Sequence, residues 1–142
     1  MDIDHDSPIT HALAQRAGPD ADGKCIGEAI ISTWQDIEAS LQPIIGRRGV
    51  EALYRRSLYL TVPDHPWLAE TYEDSRTLPD VTTLRPAVAR QAGADAASAG
   101  AAFLQTFYRL LGSFIGVALA DTLLHPVWAG GAGRLSGPAN MP

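Results

Sequence analysis

Residues 95–124 read DAASAGAAFLQTFYRLLGSFIGVALADTLL, and no other stretch bears so directly on the fold. Phe103, Phe107, Leu110, Phe114, Val117 and Leu124 recur along it at steps close to three and four. Leu104, Tyr108, Leu111, Ile115, Leu119 and Thr122 make a second line beside the first. Apolar residues at this period describe a helix, and two adjacent seams describe one enclosed on most of its sides. A third line, Gly112, Gly116 and Ala120, would let another backbone approach closely. With Asp95 as its N-cap and His125-Pro126 as its stop, this is a long C-terminal helix at the centre of the fold. It reads either as the middle of a monomeric bundle or as the self-complementary face of a homodimer through Gly112, Gly116 and Ala120.

Upstream, Ile26, Ile30, Trp34, Ile37 and Leu41 form the apolar seam of another amphipathic helix, which Pro43 is expected to interrupt. Val50, Leu53, Tyr54, Ser57 and Leu58 face inward on a third, ending at about Val62, with Glu51 and Arg55 as an outer i,i+4 pair. Pro66 opens a short helix carrying Trp67, Leu68 and Tyr72, and Glu73 to Asp80 reads as a polar loop. Leu84 and Val88 seed another short helix, with Pro86 tolerated in its first turn. Near the start, Ser7-Pro8 opens a helix of about three turns that Gly18-Pro19 closes. Strand-like alternation is absent and no internal repeat is visible. The expected fold is all-α, a bundle of about four main helices with short extra ones.

The chain has 142 residues, 46% of them apolar and 19% charged, which suits one globular domain and excludes wholesale disorder. Its net charge of −5 is unevenly placed. Residues 1–23 hold Asp2, Asp4, Asp6, Asp20 and Asp22 against Arg16 alone. The expected organisation is an acidic, flexible leader over 1–23, one helical domain over 24–128 and a loose tail over 129–142. Asp2, Asp4 and Asp6 are placed to cover the arginines of the third helix. A lone cysteine, Cys25, cannot form an internal disulfide, and the leader has no apolar signal core. The longest apolar run, 110–120, spans about 16 Å as a helix, half a bilayer core. A cytoplasmic protein without a membrane span is expected.

Few residues suggest chemistry. Asp121 precedes His125 by one helical turn and could orient its imidazole, although a His in a last turn also serves the exposed carbonyls. His65 lies in a proline-flanked turn, and no zinc-ligand spacing occurs, so no metal is expected. Length and helicity are compatible with a globin-like shape, but no histidine lies between Pro66 and Leu124 to serve a haem. No cofactor is expected. Arg47, Arg48, Arg55 and Arg56 align along one side of the third helix, as a stripe for an acidic protein partner. The nearly neutral body argues against nucleic acid. The preferred reading is a non-enzymatic interaction or signalling module, homodimeric if the long helix pairs with itself. The alternative is a small-ligand sensor with a pocket among Trp34, Tyr54, Trp67, Phe107 and Tyr108. An enzyme built on Asp121 and His125 ranks last.

Overall fold

The Asp22 carboxylate accepts a hydrogen bond from the Cys25 N–H at 2.9 Å and caps the longest element of the chain. The computed structural model describes residues 8–140, with side chains through Ala129. Its helices are α1 (Pro8–Ala17), α2 (Gly23–Thr61), α3 (Ala69–Ser75), α4 (Leu84–Ala89), α5 (Gly93–Ile115) and α6 (Val117–Asn140). Short 3-10 turns over Pro66–Leu68 and Val81–Thr83 lead into α3 and α4. There is no strand among the described residues. The all-α expectation holds, but the central helix is α2, not a C-terminal one.

Two glycines decide the shape. Gly46 interrupts α2 at φ +81° and ψ 162°, and Gly116 separates α5 from α6 at φ +97° and ψ 142°. Both are left-handed, extended conformations that a residue with a Cβ avoids. The expected interruption at Pro43 is therefore displaced, since Pro43 sits inside the helix and Gly46 carries the break. The expected unbroken helix over 95–124 is likewise two helices. The first starts at Gly93 with Ala92 as its cap residue, Asp95 lying in its first turn. The second runs through His125-Pro126 to Asn140, so the expected stop at that pair is not used. Past the break the side chains are re-phased. Phe114 and Val117, expected inside a seam, are 63% and 66% exposed.

The breaks lie at 46 and 116, and the offset of seventy between them holds along the flanking helices. Each buried residue of α5 and the described part of α6 has a buried residue seventy positions earlier. Examples are Gly100 and Ile30, Leu104 and Trp34, Phe107 and Ile37, Leu124 and Tyr54, and Trp128 and Leu58. Contacts at the helix starts are reciprocal as well. A Cβ on Gly23 would run into the carbonyl oxygen of Gln91, and one on Gly93 into that of Ala21. Both long helices thus begin side by side, run parallel, and break at the same end. A pseudo-twofold axis along their contact relates residues 23–61 to 93–131. In the short helices the buried triplet Ile9, Ala12 and Leu13 of α1 has the same spacing as Leu84, Ala87 and Val88 of α4. A repeat that the sequence hides is plain in the burial pattern.

The core lies on this axis. The Trp34 ring packs against Tyr54 at 5.3 Å, Phe103 at 5.5 Å and Phe107 at 4.7 Å between centroids. Tilted and edge-on arrangements of this kind are favoured by the ring quadrupoles. The short helices bridge the long ones: α1 packs on α2, α5 and α6, while α4 packs on α2. Residues 8–17, expected within a flexible leader, put Ile9, Ala12 and Leu13 into the core. Arg16 anchors them from a side chain only 7% exposed. It donates to Asp36 at 2.8 Å, to Ser32 at 2.8 Å and to the Val127 carbonyl at 3.1 Å, joining α1 to α2 and α6. The expected tail from 129 lies on α6 as far as Asn140. Asp2, Asp4 and Asp6 lie outside the described residues.

The glycines make the packing testable. Gly-to-Ala in a helix ordinarily stabilises by up to ~1 kcal/mol. Gly27→Ala should follow that rule, because its Cβ would meet Val88 at an ordinary 3.5 Å. Gly23→Ala and Gly93→Ala should each destabilise by about 1–3 kcal/mol, as expected for overpacking. Urea denaturation of the three variants checks the contrast in sign.

Candidate functional site

The largest opening among the described cavities is a cleft of about 530 Å³ between α1, α5 and α6. Its position follows from the break at Gly116, which turns α6 back along α5 and across α1. From α1 come Pro8, Ile9, His11, Ala12 and Gln15; from α5, Gln105 and Tyr108; and from α6, Asp121, His125, Trp128 and Ala129. Ile9, Ala12 and Trp128 form an apolar floor. The Tyr108 hydroxyl donates to Asp121 Oδ1 at 3.2 Å. Partial desolvation first, and the Asp121 carboxylate second, hold the Tyr108 phenol above its ordinary value. The volume falls in the range of small-molecule sites, and an apolar lining with a few placed polar groups is their usual makeup.

Asp121 and His125, the pair singled out from sequence, both line this cleft. The structure gives Asp121 a different partner: it accepts from Tyr108, with no hydrogen bond to His125 among the described residues. His125 lies mid-helix instead of at a C-terminus. No group of three His, Cys, Asp or Glu side chains converges on a metal-sized point among the described residues. His11 and Gln15 are the residues that sequence reading missed. Ile9, Ala12 and Leu13, spaced as i, i+3 and i+4, were the available signal that this segment packs and brings His11 with it.

The stripe of small residues does not form as expected. A Cβ on Gly112 would meet Val117 at 3.4 Å across the α5–α6 turn, Gly116 is the break itself, and Ala120 is buried inside the chain. The three do not share one straight helix. The aromatic pocket expected among Trp34, Tyr54, Trp67, Phe107 and Tyr108 is filled core. Trp34, Tyr54 and Phe107 are fully buried, and the space beside Trp67 is only about 10 Å³. Tyr108 alone of that set reaches the cleft. His65 is half-buried and stands 6.5 Å from the Trp67 ring, while Cys25 is an exposed thiol.

Arg47, Arg48, Arg55 and Arg56 all follow the Gly46 break on one helical segment. Arg55 and Arg56 line a shallow groove of about 290 Å³ with Ala52, Tyr59 and Tyr72. The Arg56 guanidinium carbon lies 5.5 Å from the Tyr59 ring centroid, and Tyr59 packs against Tyr72 at 5.5 Å. The expected Glu51–Arg55 pair is not made. Ion pairs among the described residues join Arg16 to Asp36, Arg76 to Glu73, Arg85 to Glu28 and Arg90 to Glu70.

At the position matching Tyr108, the first half carries Glu38, and at that matching Asp121 it carries Glu51. A phenol–carboxylate hydrogen bond is thus replaced by two carboxylates. Burial raises the Glu38 carboxyl above its ordinary range; Asp80 and Glu51 add to the rise, while Trp34 and Arg47 oppose it.

This chain matches no family model, no curated protein and no solved structure. No helix among the described residues is long and apolar enough to cross a membrane.

Glu38 yields a prediction with a definite sign. Its folded carboxyl holds its proton to higher pH than the unfolded one. This contribution therefore favours folding at low pH and is lost as pH rises above about 4.5. Glu38→Gln should raise the melting temperature at pH 7 and leave it nearly unchanged at pH 4. Melting curves across that range test it, and equal shifts at both pH values would refute the assignment.

Proposed function

We propose that this protein is a non-enzymatic regulatory module that acts by binding, with the α1–α5–α6 cleft as its ligand seat. The observation that carries the reading is an open apolar cleft of about 530 Å³ with one hydrogen-bonded polar pair on its wall. Among the described residues, Trp34, Tyr54 and Phe107 are buried core, and the space beside Trp67 is only about 10 Å³. Tyr108 itself fits an acid–base role poorly, because its surroundings move the phenol upward, away from neutrality.

Trp128 on the cleft floor supplies the assay. A ligand seated there should change tryptophan emission and raise the melting temperature. By mass action the gain is ~2.7 kcal/mol at a hundredfold excess over Kd. Tyr108→Phe should keep the fold and weaken a ligand that uses the phenol by about tenfold, the worth of one hydrogen bond. A broad metabolite and peptide screen with no response in either signal would remove the reading.

A second reading, association through an apolar tip, is favoured by the exposure of Phe114, Val117 and Leu119 around the α5–α6 turn. A homodimer joined there should dissociate on Phe114→Ser. Light scattering that gives the monomer mass at every concentration would end this reading.

A further inference from the structure

The shallow groove on the second segment of α2 is separate from the cleft, and its makeup follows from a spacing. Ala52, Arg55, Arg56 and Tyr59 stand three and four residues apart, so they are neighbours on one face of the helix after the Gly46 break. Ala52 adds no bulk, and Tyr72 of α3 completes the lining of an opening of about 290 Å³. The Arg56 guanidinium is held over the Tyr59 ring at 5.5 Å, and Tyr59 packs against Tyr72. No acid lines the groove. Neither arginine has a carboxylate partner among the described residues, and Glu51, one turn before Arg55, makes no ion pair with it. Glu70 and Glu73 of α3 are paired elsewhere, with Arg90 at 3.7 Å and Arg76 at 3.1 Å. Exposed Arg48, seven residues before Arg55, adds to the positive field on this face.

We propose that this groove binds an aryl phosphate, its phosphoryl group bridging Arg55 and Arg56 and its ring lying against Tyr59 and Tyr72. Three features select that class. A phosphate monoester carries close to two negative charges near neutral pH and so matches two guanidiniums, where a carboxylate matches one. Guanidiniums present paired N–H donors that fit phosphate oxygens. A bare phosphate would fill only a fraction of the groove and leave Tyr59, 50% exposed, uncovered, whereas an attached ring covers it. The helical frame alone does not call for this set of residues, since Thr122, His125, Pro126 and Ala129 stand seventy positions on. The site is independent of the α1–α5–α6 cleft and holds or falls apart from it.

The test is calorimetric titration of the full chain at low salt with phenyl phosphate, inorganic phosphate and benzoate. Phenyl phosphate should bind saturably and about tenfold or more tighter than either of the others. Arg55 is half-buried and Arg56 exposed, so Arg55→Gln and Arg56→Gln should keep the melting temperature. Each should weaken phenyl phosphate by about tenfold or more. Arg76→Gln, which removes a guanidinium already paired with Glu73, should leave the affinity unchanged. A phosphotyrosine peptide that binds tighter than phenyl phosphate would put the group on a partner protein, and equal binding would put it on a small molecule; both uphold the site. No saturable binding, benzoate matching phenyl phosphate, or affinity that survives both arginine substitutions would overturn the proposal. Inorganic phosphate binding as tightly as phenyl phosphate would overturn it too, because the tyrosine wall would then play no part.

Discussion

The close approach of two helix starts governs this molecule. Gly23 and Gly93 open the two long helices, and each lies against a carbonyl that precedes the other's first turn. No side chain fits between them, so α2 and α5 are held together and parallel from their first residues. The aromatic contacts of Trp34 with Phe103 and Phe107 then follow along the same axis. At the far end each helix reaches its left-handed glycine and turns back. The cleft lies where the second return, α6, passes α1 and α5.

The two halves share a framework and differ in what covers it. Glu38 and Glu51 in one half correspond to Tyr108 and Asp121 in the other. The first pair is a crowded carboxylate site beside α3's territory, and the second is a hydrogen-bonded wall of an open cleft. Tyr59 packs against α3, whereas its counterpart Ala129 leaves room. The two halves thus differ in a few surface residues carried on a similar helical frame.

Much of the helical architecture was readable in the chain itself. Apolar spacing located the helical segments, and Pro66, Pro86 and Gly18-Pro19 marked true starts and ends. The placement of the centre was not readable, because Gly116 looks the same in sequence whether it packs a helix or ends one. Only its φ of +97° tells them apart. Acidic neighbours similarly disguised α1, whose Ile9, Ala12 and Leu13 belong to the core. The repeat escaped notice because paired positions conserve burial and not identity, as with Trp34 and Leu104 or Leu58 and Trp128. Asp121 and His125 both line the cleft, but Asp121 bonds to Tyr108 and not to His125, and their surroundings come from α1 and α5, which sequence spacing does not connect.

Shared packing has a thermodynamic consequence. Helix α1 packs on α2, α5 and α6 together, and α4 packs on α2, so neither half encloses a core of its own. Detaching one would strip the rings around Trp34 from both sides at once. A chain assembled from two equivalent parts is thereby bound to melt as a single cooperative unit, without a stable half-folded species.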